Sequence, residues 1–302
     1  MSEVKLKKKE YSELPCYIIN IKIHSDNENK QELYSSVFNQ IYNLKEFSVK
    51  IGNKNGLDLK KLDKLVVNKT DLGYEFKELE YENYEIFSGE FIKFKIEDEN
   101  DKHYNTISKE LKSGDPNAIE KPNAIQIPFY IIPSIHRVFL PVKSSITPLQ
   151  LKLFFEQALL KIYDSEEFFN IDIAKSIDAI EKIYEFTYLK KLELFISYTN
   201  DDLGGDAKKF MDDLLKESNV NKYKGEYNAE KSESLNMESK LIKGGIELSK
   251  ENGELIAVGE NSYGNKVVIN TKNKFEKYSL KIKNGFNPLI SIVKDALINW
   301  RL

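Results

Sequence analysis

The stretch Ile125-Gln126-Ile127-Pro128-Phe129-Tyr130-Ile131-Ile132-Pro133-Ser134-Ile135-His136-Arg137-Val138-Phe139-Leu140, followed at once by a segment beginning Thr147-Pro148-Leu149-Gln150-Leu151, decides the fold. It reads as two apolar strands about a Pro133-Ser134 turn, then a capped helix. Residues 125–132 are rich in β-branched and aromatic side chains. Pro128 has no amide proton for a ladder, so it marks part of that strand as an edge or a bulge. Thr147 is placed to cap the helix, Pro148 takes the first helical position, and Gln150 completes a capping box. Ile146 and Leu151 make a hydrophobic staple. Leu151, Phe154, Phe155, Ala158, Leu159 and Ile162 then recur at helical spacing as one apolar face, which needs a sheet or another helix against it.

Within this stretch Arg137 is one of two arginines among 45 basic residues. Two readings follow. Arg137, helped by His136, supplies a bidentate contact to a phosphate or carboxylate, or it is the outward residue of an alternating strand that pairs with a surface acid.

The chain has 302 residues, 41% of them apolar and 12% aromatic, enough for one large domain or two ordinary ones. Charged residues make up 31%, yet the net charge is only −3, so any nucleic-acid contact has to be a local basic face. The lone Cys16 excludes an internal disulfide, and with His24, His103 and His136 scattered it argues against a zinc site. No apolar run is long enough to span a membrane. The lysine-rich start (Lys5, Lys7, Lys8, Lys9) has no apolar stretch behind it and does not read as a secretory signal. The expected location is the cytoplasm, with no cofactor.

Outward from the deciding stretch, residues 14–23 alternate Tyr17, Ile19, Ile21 and Ile23 against Ile18, Asn20 and Lys22 as a first strand. A helix follows with Ser25 and Glu28 as its capping box and Leu33, Val37, Ile41 and Leu44 inward. Strands are expected at 47–51, 65–68, 73–79 and 84–96, the last with a bulge at Gly89. Residues 97–123 read as a polar linker or long loop with a short helix at 106–111. If there are two domains, they are 1–115 and 116–302. Beyond lie a strand at 168–173, a helix at 176–186 and a strand at 190–198. A helix at 206–217 should bury Ala207, Phe210, Met211 and Leu214. A strand at 223–228 and a helix at 236–250, stopped by Asn252-Gly253, come next. A hairpin pairs 255–259 with 266–270, and a lysine-alternating strand covers 275–282. The final helix starts at Pro288 and presents Leu289, Ile292, Val293, Ala296, Leu297 and Trp300, to dock on its own chain or on a second copy. Strands and helices without regular βαβ spacing give an α+β class with mixed, largely antiparallel sheets and packed helices.

No phosphate-binding glycine loop is present. Asp201, Asp202 and Gly204-Gly205-Asp206 stand at a strand-to-helix junction, where acids bind a metal or simply cap the helix. A metal-dependent nuclease would need acids and a lysine brought together, from Asp115 with Glu120 and Lys121, or Asp178 with Glu181 and Lys182. Lysines gather at Lys60, Lys61, Lys64 and Lys69, and again at Lys272, Lys274, Lys277, Lys281 and Lys283, with Tyr263, Phe275, Tyr278 and Phe286 interleaved. Such a face tracks a nucleic-acid backbone and stacks on bases, or it protects a solvated edge strand. The candidate nucleic-acid contacts are Arg137, His136, Lys272, Lys274, Lys277 and Lys281. No catalytic or metal-binding residue is assigned.

The strand–strand–helix unit at 125–162, the strand at 189–198 with its Asn200-Asp201 turn, and the closing pattern from Leu241 through Gly253 to Ile269 resemble an uncharacterised bacterial domain-of-unknown-function family met among mobile and phage-defence genes. More distantly the layout is similar to RexA-type phage-exclusion proteins, in arrangement only. The resemblance implies an anti-phage protein that binds DNA or RNA as sensor or effector, alone, as a homo-oligomer or with a partner defence protein. A nuclease, or a homo-oligomeric interaction subunit, is the alternative.

Overall fold

The computed structural model describes residues 10–25, 27, 29–115, 117–197 and 205–300. Lys5, Lys7, Lys8, Lys9, Glu28, Asn200, Asp201, Asp202 and Gly204 lie outside them. In chain order the elements are β1 (Tyr11–Ile23), α1 (Lys30–Tyr42), β2 (Val49–Ile51), β3 (Asn55–Asn68), α2 (Lys69–Leu72), β4 (Asn83–Lys95), β5 (Lys102–Tyr104), β6 (Leu111–Ser113), β7 (Ile125–Ile132), β8 (Arg137–Pro141) and α3 (Pro148–Tyr163). They continue with β9 (Phe169–Ile173), α4 (Ile177–Tyr184), β10 (Tyr188–Ser197), α5 (Asp206–Glu217), β11 (Lys222–Asn228), α6 (Lys240–Asn252), β12 (Gly253–Glu260), β13 (Lys266–Asn270), β14 (Tyr278–Lys283) and α7 (Pro288–Asn299). The class is α+β, and the named strands pair antiparallel.

Eight strands form the large sheet, in the order β14-β1-β8-β7-β4-β3-β2, with β9 also on β1. Four form a second sheet, β11-β10-β12-β13. Strands from both sides of position 115 share the large sheet. Strands between residues 188 and 270 make up the second sheet.

The large sheet is covered on both faces. Ile19, Ile21 and Ile23 of β1 point into a core closed by α1 and α3, while Cys16 and Ile18 point into one closed by α7. This is why both alternating positions of β1 are apolar from Cys16 to Ile19. The α3 cap forms as read: Thr147 Oγ1 accepts from the Gln150 amide, and Gln150 Oε1 accepts from the Thr147 amide at 3.0 Å. Phe154 and Phe155 are fully buried, and Phe154 meets Phe91 at 4.8 Å between ring centroids. Pro128 falls in the half of β7 that pairs with β4 alone, since β8 reaches only Tyr130–Ile132, so its missing amide costs no bond on that side.

Several local expectations are corrected. The cap of α1 is Asn29, whose side chain accepts from the Glu32 amide; Ser25 instead accepts from Asn27. Residues 73–79 are not a strand: a 3₁₀ turn at Tyr74–Phe76 follows α2. Residues 106–111 are not a helix but the tip of the β5–β6 hairpin. The register shift near Gly89 lies on the partner strand, between Leu59 and Lys61. Gly89 is needed because a β-carbon there would strike the Phe129 ring. Helix α5 is rotated from its expected face: Met211 and Leu215 are buried, whereas Phe210 and Leu214 are 43% and 42% exposed.

The stripe on α7 is spent within the chain. Ile292, Val293, Ala296 and Leu297 are buried with Ile18, Phe139 and Leu280, and Trp300 packs on Phe139 and Tyr278. Self-association through that stripe would require undocking it.

Two stability tests follow. Phe154→Ala should cost about 3–5 kcal/mol in chemical denaturation; an unchanged midpoint would contradict the packing of α3. Deleting residues 288–302 uncovers one face of the large sheet and should give insoluble or molten protein. A folded, well-dispersed truncated species would show that α7 is a detachable arm.

Candidate functional site

Where β9 leaves the large sheet, the chain turns through Ala174 and Lys175 towards the second sheet. Two backbone bonds hold this crossing: the Lys175 amide donates to Lys250 O at 2.8 Å and the Ser176 amide to Lys274 O at 2.7 Å. Between the sheets lies a cleft of about 410 Å3. Leu149 and Lys152 of α3, Asn170, Asp172 and Ile173 of β9, the end of β10, the start of β11, the α6–β12 junction and Lys272 line it. Helix α6 runs into β12 with no loop between them. A β-carbon at Gly253 would collide with the Phe195 carbonyl, so glycine permits this tight wall.

Five lysines line the cleft, Lys152, Lys175, Lys222, Lys224 and Lys272, against two carboxylates, Asp172 and Glu254. The ion pairs are long: Lys152–Glu156 3.6 Å, Lys222–Glu166 3.9 Å and Lys175–Glu254 4.0 Å. In a chain of net charge −3 this is a local excess of positive charge in a concave place, which attracts anions more strongly than a flat surface does. Lys175 is 6% exposed. Burial pushes its ammonium below the ordinary lysine value, with Glu254 and Asp172 opposing. A bound anion would restore the solvation that this ammonium lost. Lys175 Nζ donates to Lys272 O at 3.3 Å and lies 5.1 Å from the Phe275 ring centroid.

The polar wall is ordered. Asn170 Nδ2 donates to Asp172 at 2.7 Å and to Ser197 Oγ at 2.5 Å. Asn20 of β1 donates to Asn252 Oδ1 at 3.0 Å, and both are buried. Asn252 lines the cleft, and its Nδ2 has no partner among the described residues. Phe195 brings aromatic surface, with Lys224 over its ring, whereas the Tyr223 ring packs on the core of the second sheet and its hydroxyl meets that of Tyr227 at 2.6 Å.

A second hollow, about 540 Å3, adjoins this one through the same segment and is lined by Tyr17, Ser176, Asn273, Lys274, Phe275, Glu276 and Lys277. Tyr17 and Phe275 meet edge to face.

A family model described as "Domain of unknown function (DUF4747)" matches residues 13–297. The chain belongs to the DUF4747 family. The matched segment includes every residue lining the two hollows. No curated protein matches the chain.

In this DUF4747 chain the expected contacts divide into two groups. Lys272 lines the cleft, and Lys274 and Lys277 line the second hollow. Lys281 is exposed on β14, opposite Glu13, and by strand alternation it shares a sheet face with Tyr17. Arg137 and His136 are elsewhere and buried, at 2% and 4% exposure. The Arg137 guanidinium lies 5.6 Å from the Trp300 ring centroid, and His136, in the left-handed region at φ 45°, sits against Tyr34. Neither is the outward strand residue of the alternative reading.

Of the residues considered for a nuclease, Asp115 lies in the loop after β6, Glu120 and Lys121 lie in the segment before β7, Asp178, Glu181 and Lys182 are on α4, and Asp206 begins α5. Among the described residues no group of three or more His, Cys, Asp or Glu is placed to hold a metal. Cys16 is buried and its thiol is pushed up to about 12, so it is a poor nucleophile.

Reading the sequence missed Lys152, Lys175, Lys222, Lys224 and Asn252. Lys222 and Lys224 alternate with Tyr223, which faces the core, and Asn252-Gly253 was read only as a helix stop.

His136 gives a pH test. Burial first, then Arg137, Lys22 and Lys30, hold its imidazole well below the ordinary value of 6.5, so the folded chain takes up this proton less readily than the unfolded chain. The stability tied to neutral His136 is complete above that value and is lost as pH falls from it towards the folded value. Denaturation midpoints should drop on going from ~pH 7 to ~pH 5, and less so in His136→Asn, which keeps a residue suited to positive φ. Equal drops in both proteins would remove His136 as the cause.

Proposed function

We propose that this protein binds nucleic acid, holding phosphates along the lysines of the cleft and of the adjoining hollow. One observation carries the reading: Lys152, Lys175, Lys222, Lys224 and Lys272 surround one concavity, and residues 272–277 continue it into a second that holds Lys274, Lys277, Tyr17 and Phe275. Interleaved lysines and aromatics suit a charged backbone bearing stackable bases. Lys281, on the outer strand β14 opposite Glu13, stands outside this row. The reading assigns no direct contact to Arg137 or His136, because both are buried. The resemblance to phage-defence proteins adds the setting: a cytoplasmic sensor or effector that acts on DNA or RNA without a cofactor.

The nuclease alternative, with acids near Asp201–Asp206 or Asp115–Glu120, would show as magnesium-dependent cleavage. The interaction-subunit alternative predicts no nucleic-acid binding at all.

Binding of labelled DNA and RNA should be strong at low salt and fall steeply as salt rises, because each neutralised phosphate releases counterions. Exchanging Lys222, Lys224, Lys272 and Lys274 for Glu should abolish it while the melting temperature stays close to wild type, since these lysines are exposed. No binding at low salt, or binding indifferent to salt and to the exchange, refutes the proposal.

A further inference from the structure

Resting on that reading, we infer that the cleft seats a single unstacked nucleotide, its phosphate on Lys175 and Lys272, its base against Phe195 and hydrogen-bonded to Asn252, so that the ligand is single-stranded rather than duplex. The volume, about 410 Å3, is that of a small-molecule site and admits one nucleotide unit. Bases in a duplex are stacked and paired, and must be extruded before they can enter such a site; a single strand does not bear that cost.

The polar groups distinguish a nucleotide from a bare anion. A phosphate offers only acceptors and is served by lysines. Asn252 is a neutral amide, 1% exposed, that lines the cleft and is tied by one bond to Asn20. That bond leaves Asn252 Nδ2 and Asn20 Oδ1 without partners. Leaving buried amide groups unpaired is costly unless a ligand completes them. Turning both amides over preserves the bond between them and changes the group left on Asn252 from donor to acceptor. The pair can therefore meet either kind of atom on a base edge, which suits a binder tolerant of sequence. Phe195, half-buried on the same cleft wall as Lys224, supplies the stacking surface that a phosphate site has no use for.

The test is competition against a short fluorescein-labelled single strand, DNA and RNA in turn, on the full-length protein, with unlabelled single strand, blunt duplex of the same sequence, mononucleotide and inorganic phosphate as competitors. The single strand should compete and the duplex should not. Phe195→Ala should weaken single-strand binding at least about fivefold with the salt slope unchanged, and Phe195→Tyr should bind like wild type. Lys272→Gln should lower the salt slope by about 0.7. Asn252→Asp, which keeps the Asn20 bond but removes the donor, should weaken binding with its circular dichroism intact. A mononucleotide competing as well as the strand supports the inference and identifies a free nucleotide as sufficient. Equal competition by duplex, or phosphate competing as well as the strand with Phe195→Ala silent, overturns the single-nucleotide site and leaves phosphate-directed binding standing. No binding to any nucleic acid overturns both.

Discussion

Strand β1 is the constraint on which the rest depends. It is longer than any of its neighbours, so one side of it is shared: β14 pairs with residues 11–16 and β9 with residues 19–23, while β8 takes the other side. Only because β1 runs past the end of β14 is there a free edge for β9. Only because β9 ends there does the chain cross at Lys175 to the second sheet. The cleft is the gap left where one sheet stops and the other begins, and residues 272–277, on the way back to β14, close its side. Shortening β1 would remove the place where the two halves meet, not merely weaken a sheet.

Most elements were legible because their signals are local. The Thr147 box, the Asn287 cap of α7, the alternation of β10 and the turn between β12 and β13 all depend on residues a few positions apart. Errors came where two local readings compete. Residues 73–79 carry aromatic residues that suit a strand, yet they turn over the edge of the sheet because Leu72 and Phe76 are drawn into the core beneath α7. Phe210 and Leu214 fit one apolar face of α5, but Met211 and Leu215, one position on, are the residues that reach α6 and the second sheet. Periodicity says that a helix has a face; only the partner decides which one.

The site was far less legible. Its residues come from α3, β9, β10, β11, α6 and the segment before β14, and no spacing in the chain reveals that they converge. The signal followed first, a rare arginine beside a histidine, led instead to a buried layer. There Arg137 stacks on Trp300 and His136 completes a left-handed turn. Rarity of a residue type marks a position where substitution is hard, and packing is a sufficient reason for that.

The lysines themselves separate two physical roles that look alike in sequence. Lys281 and Lys283 stand on β14, an outer strand of the large sheet, each facing an acid or near one, Glu13 in register and Glu10 at 3.9 Å. Charge there discourages pairing with another chain, and it does so on a flat surface at little cost. Lys175, Lys222, Lys224 and Lys272 share a concavity, where like charges repel across low-dielectric walls and their ion pairs are long or missing among the described residues. Edge protection does not need lysines to face one another across a gap, and stability does not favour it. An arrangement that costs stability by itself and is relieved by an anion is the expected signature of a binding site, which is why the functional reading rests on the cleft and not on the lysines of β14.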